Sequence, residues 1–148
     1  MPMKHQRAKN RVLVVSNDST AIRSFGDILR SASFEVLFAE NGANAVKILA
    51  TASINLIILD FRTPFNAKDI VSGRSRTIGA LSDVDPFLPL LLTHDPADEA
   101  EHATLQTADM VLTHPVEPLA LLEAVDILLV ETPNARVQRK AGNLAVIR

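Results

Sequence analysis

The chain has 148 residues, 47% of them apolar and 22% charged, with a formal net charge of -2. That is the length of one domain with short arms, and the composition of a chain able to bury a sizeable core. The lack of Cys rules out disulfides, thiolate chemistry and iron–sulfur clusters; the near-neutral charge gives no basis for nucleic-acid binding; and six Phe without Trp or Tyr leave few stacking platforms for bases.

Residues 1–10 read as a basic arm carrying Lys4, Arg7 and Lys9. The apolar run that follows, Val12–Val15, is too short for a signal peptide or for a membrane span of about 20 residues. The expected location is therefore cytoplasmic, with no membrane contact. Val12–Val15 suits a strand buried on both faces. Asp18, Ser19 and Thr20 then signal a helix start, and Ile22, Phe25, Ile28 and Leu29 fall on one helical face. Phe34–Phe38 reads as a second strand, broken by Asn41-Gly42. Ala45, Val46, Ile48 and Leu49 mark a second helix. Ile54–Leu59 is a strongly apolar third strand that ends at Asp60.

Pro64 fixes a loop, and Ala67–Leu81 is read as helical despite Gly73 and Gly79. Phe87–Leu92 is a fourth strand with Pro89 early in it. Pro96–Leu105 is a weakly amphipathic helix, and Met110–Leu112 a short fifth strand. Glu117-Pro118 starts the last helix, with Pro at the first helical position. Its expected buried face is Leu119, Leu122, Val125, Leu128 and Leu129. Residues 11–131 form the expected domain, and 132–148 a tail whose Arg136, Arg139, Lys140 and Arg148 are read as solvated charges.

Five strands alternating with five helices predict an α/β domain, a doubly wound five-stranded parallel sheet covered on both faces. Ligands in such folds gather at the carboxyl ends of the strands. Those ends carry Ser16-Asn17-Asp18, Asp60, Thr93-His94 and Thr113-His114-Pro115.

Arg11–Val15, Leu56–Asp60 with Pro64 four residues on, Leu90–Thr93, and His114-Pro115 before the last helix together resemble the receiver domain of two-component response regulators. The resemblance spans about Arg11–Glu131. It implies a flavodoxin-like sheet in the order 2-1-3-4-5. It also implies that Asp60 occupies the place of the aspartate that accepts a phosphoryl group from a histidine kinase or phosphotransfer protein. In such domains an acidic pair after the first strand helps hold Mg²⁺, and a hydroxyl residue and a Lys bind the phosphoryl oxygens. Thr93 matches the hydroxyl residue. His114 stands in the place of the Lys.

Other positions depart from the pattern. Ser16 and Asn17 stand where the acidic pair belongs, leaving Asp60 and Asn17 as the remaining metal-ligand positions. Mg²⁺ prefers carboxylate oxygens, so its affinity should fall sharply. Asp18 is one residue late and is read as the cap of the first helix. His94 replaces a small residue, the loop Pro64–Lys68 lacks an Asp-Gly turn, and Val111 replaces an aromatic residue.

The expected function is an atypical, stand-alone receiver, not an enzyme, with Asp60 as phosphoryl acceptor and output through a downstream protein partner or a homodimer. A helix-turn-helix does not fit after Glu131. The alternative is a phosphorylation-independent binding module on the same fold. An aspartate-nucleophile phosphohydrolase ranks lower, because Arg62 and not an acid lies two residues beyond Asp60. A nucleotide or flavin binder would want a phosphate-cradling loop and aromatic walls. Two further roles compete with bland ones. His94 and His114 beside Asp60 would suit a transition metal. Arg62 would neutralise Asp60.

Overall fold

The computed structural model describes residues 10–61, 79–94, 108–131 and 134–139. The sheet is built of β1 (Arg11–Ser16), β2 (Glu35–Ala39), β3 (Leu56–Phe61), β4 (Leu90–His94) and β5 (Met110–Thr113). The labelled helices are α1 (Ser19–Ser31), α2 (Gly42–Thr51) and α3 (Pro118–Val130). All strand pairs are parallel and the order is β2-β1-β3-β4-β5, as the resemblance implies. No helix among the described residues is long and apolar enough to cross a membrane.

The apolar runs alternate in the direction their side chains point, as strands require. Val12, Val14, Leu56, Ile58 and Leu91 join Phe25 and Leu29 of α1 and Leu121, Val125 and Leu128 of α3 in one core cluster. Leu13, Val15, Ile57, Leu59, Leu90 and Leu92 join Ala45 of α2 and Leu81 in a second cluster on the other face. Each fully buried aliphatic side chain contributes about 1.5–3 kcal/mol. A one-residue slip of β1 would exchange the two rows and carry Ser16 into an apolar position, so the register is strongly fixed.

Local signals set the element ends. Asp18 caps α1, its Oδ1 accepting the N–H groups of Thr20 at 2.9 Å and Ala21 at 3.4 Å. Asn41 caps α2 through the Asn44 N–H. Pro118 opens α3. Gly26 lets α1 lie against β2, because a Cβ there would come within 2.9 Å of the Phe38 ring.

Several boundaries differ from the sequence reading. The second strand begins one residue later, since Phe34 closes the end of α1 with its N–H on the Leu29 carbonyl. The third strand includes Asp60 and Phe61. The fourth starts at Leu90, because Asp85 ties residues 85–88 into a turn through the Phe87 N–H. Pro89 precedes the strand, and its carbonyl accepts the Ile57 N–H. Leu119 is 73% exposed and not on the buried face of α3, which is Leu121, Ala124, Val125 and Leu128. Of the helix expected over residues 67–81, only 79–81 are described; the described helical stretch is 79–84. The arm residues 1–9, Arg62, the loop Pro64–Lys68 and the helix expected over 96–105 lie outside the described residues.

Part of the expected tail is docked on the domain. Residues 134–139 are helical. Arg139 donates to both Glu131 oxygens, at 2.6 and 2.9 Å, and to Asp109 Oδ1 at 2.6 Å. Asp109 Oδ2 accepts the Leu90 N–H at 2.6 Å. The last turn of α3 holds no basic residue. Arg136 serves its open carbonyls instead, donating to those of Leu128 and Glu131. Charge counting at a terminus does not reveal such a clasp, because its acids lie 8 and 30 positions away.

Two predictions follow from these ends. Ser33 has a φ of 72°, in the left-handed region that ends α1. Ser33→Gly should raise stability by about 1 kcal/mol in a urea melt, and a loss would contradict the strain. Hydrogen bonding from Arg139 holds the Glu131 carboxyl below the usual carboxylate range. A lowered folded pKa stabilises above the unfolded value of about 4.3 and stops doing so as pH falls through the folded one. Arg139→Met should therefore cost about 1–2 kcal/mol near pH 7, with the gap to the unsubstituted protein narrowing near pH 3. An equal gap at both values would disprove the clasp.

Candidate functional site

The strand register carries the apolar rows directly into a polar one. Val14 pairs with Ile58, and Ile58 with Leu91. Two residues on, Ser16 pairs with Asp60, and Asp60 with Thr93. All three polar residues are fully buried, and they are the buried polar residues among those described. A polar row at this depth needs internal hydrogen bonds.

Asp60 is where those bonds converge. Ser16 Oγ donates to Asp60 Oδ2 at 3.0 Å. Thr93 Oγ1 donates to Oδ1 at 2.5 Å. His114 Nε2 lies 2.5 Å from the same Oδ1, within hydrogen-bond distance. The His114 side chain is 10% exposed. Its ring stacks on Phe25 of α1, with centroids 6.3 Å apart. Its backbone N–H donates to the His94 carbonyl at 2.8 Å, anchoring the end of β5 on β4. The His114–Pro115 peptide is cis.

Ser16 also joins the site to the first helix. Its Oγ accepts the Asp18 N–H at 3.1 Å. The hydroxyl has one hydrogen, and Asp60 Oδ2 at 3.0 Å is a better acceptor than the Asp18 carbonyl at 3.5 Å. Burying a carboxylate costs several kcal/mol, and three bonds to a charged acceptor, each about 1.5–3 kcal/mol, offset it.

The structure thus brings Asp60, Thr93 and His114 together. Asn17 is exposed. His94 is half-buried, and strand alternation turns it to the opposite face from Thr93. Among the described residues no three His, Cys, Asp or Glu side chains gather to hold a metal. Val111 packs against the second core cluster. Sequence reasoning did not see Ser16 as a direct partner of Asp60. The signal was its position: each residue follows an apolar strand run, and parallel register sets the two side by side.

No family model matches the chain. It is 29% identical over 139 residues to the transcriptional regulatory protein GlrR of Escherichia coli K12, and equally to the transcriptional regulatory protein QseF of Escherichia coli O157:H7. The match covers 93% of this chain, which spans 30% of the length of those curated relatives. Among solved structures it is similar to the response regulator TrrA of Thermotoga maritima in complex with Mg²⁺-BeF. The TM-score is 0.68 at 23% identity, covering 81% of this chain and 99% of that one. The chemotaxis protein CheY4 of Vibrio cholerae gives a TM-score of 0.64 at 22% identity, covering 81% and 98%. With the strand order, these likenesses give the chain the receiver-domain fold of response regulators.

The site residues do not fit the Mg²⁺ that the fold family implies. A hard cation wants several carboxylate or carbonyl oxygens, and here the Asp60 oxygens already face protein donors.

A carboxylate set among donors stabilises the fold, whereas one set among other acids would be repelled. Asp60→Ala should therefore destabilise by about 2–4 kcal/mol in chemical denaturation, and Asp60→Asn by less. A gain in stability for either variant would refute the donor cradle.

Proposed function

We propose that this chain is an atypical receiver module of two-component signalling that works through protein contacts without an aspartyl-phosphate step. One observation carries the reading. The carboxylate at the acceptor's place is fully buried and hydrogen-bonded on both oxygens by Ser16, Thr93 and His114. Attack on a phosphoryl donor requires an oxygen open to solvent and a cation to offset the donor's charge. Here Asp60 is closed to solvent, and no group of acids or histidines among the described residues gathers to hold a metal.

In this reading the module turns over no substrate and acts in the cytoplasm. Its partners are a signalling protein upstream and a target protein, or a second copy. The exposed apolar residues Leu119, Ile127 and Val130 of α3 are the surface we assign to those contacts.

A second reading keeps Asp60 as the acceptor. It is favoured by the placement of Asp60, Thr93 and His114 around one carboxylate oxygen, where a hydroxyl and a cationic group belong in receivers.

Intact-mass measurement after incubation with acetyl phosphate decides between them. The unsubstituted protein and Asp60→Asn are compared with and without Mg²⁺. We expect no phosphate adduct on either. An adduct that disappears in Asp60→Asn would overturn the proposal and establish the second reading.

A further inference from the structure

The same pocket carries a further inference, which rests on the reading above. Ser16 sits at the end of β1, in register with Asp60 on the neighbouring strand, and both are fully buried. Its hydroxyl oxygen is taken up by the Asp18 N–H, which turns its hydrogen toward Asp60 Oδ2. Thr93 and His114 converge on Oδ1. Asp18, the nearest acid in sequence, spends its Oδ1 on the cap of α1. One carboxylate, ringed by donors, is a poor match for a doubly charged ion that prefers several anionic oxygens.

We propose that the Ser16 hydroxyl replaces a divalent cation at this site: its hydrogen bonds Asp60 Oδ2 from within the protein, so the site is closed to metals. The residue at position 16 then decides which kind of site this is. A carboxylate there would face Asp60 at close range inside the fold. Two buried carboxylates so placed repel strongly unless a cation or a shared proton lies between them. A hydroxyl removes that need and supplies the bond from the protein itself.

The test is thermal unfolding of the whole chain with and without about 10 mM Mg²⁺, using the unsubstituted protein, Ser16→Asp and Ser16→Ala. The unsubstituted protein should not shift with Mg²⁺, and Ser16→Ala, which loses the bond to Oδ2, should melt lower than it without the ion. Ser16→Asp should melt lower without the ion and regain about 4 °C or more with it. A rise of that size in the unsubstituted protein, or no response from Ser16→Asp, would overturn the proposal. If Ser16→Asp fails to fold, amide NMR shifts of Ser16 and Asp60 in the unsubstituted protein decide. Shifts unmoved by Mg²⁺ support the proposal, and saturable movement overturns it. No phosphoryl donor is present, so the two readings fail separately. Metal binding without phosphorylation sinks only the cation replacement. A phosphate adduct formed without Mg²⁺ sinks only the functional reading.

Discussion

A carboxylate taken fully out of water must be answered by donors, and the architecture at the carboxyl ends of the strands follows from that demand. Asp60 follows four buried apolar residues of β3, so its burial is set by Leu56–Leu59 behind it. Parallel register brings Ser16 from one side and Thr93 from the other. The end of β5 supplies His114, held by its backbone bond to His94 and by the Phe25 ring. Two donors come from strands, Ser16 from β1 and Thr93 from β4, and the third from the residue after β5. None would find Asp60 if any strand slipped by one residue.

The same site shows how far the fold is independent of the polar residues it carries. The hydrophobic rows specify the fold, and they are indifferent to which polar residues follow them. Other polar residues in place of Ser16 and Asn17 would leave Val12–Val15 untouched. They would change only what Asp60 meets. Fold and site separate at that boundary, one residue beyond the last apolar pair, Val15 and Leu59.

The sheet and its order were legible because continuous apolar runs and capping residues such as Asp18, Asn41 and Pro118 are local signals. The placement of Asp60, Thr93 and His114 followed from their positions after strands. Ser16 was harder to see. A serine at a strand end has many uses, and only pairing between β1 and β3 shows which acceptor it meets. Leu119 misled because helical spacing gives a face but not its outer limit. Arg139 misled because a salt bridge to Asp109 depends on how α3 returns along the sheet, which no local pattern encodes.

That clasp has a mechanical consequence. At one end, α3 follows closely on His114, which is fixed to Asp60, to Phe25 and to the backbone of β4. At the other end, Glu131 is tied through Arg139 to Asp109, whose carboxylate holds the first amide of β4. The helix is a rod pinned at both ends to the same strand. To swing or slide, such a rod would have to break these bonds. It presents a fixed outer edge, and any message passing across it is carried by which molecule rests there.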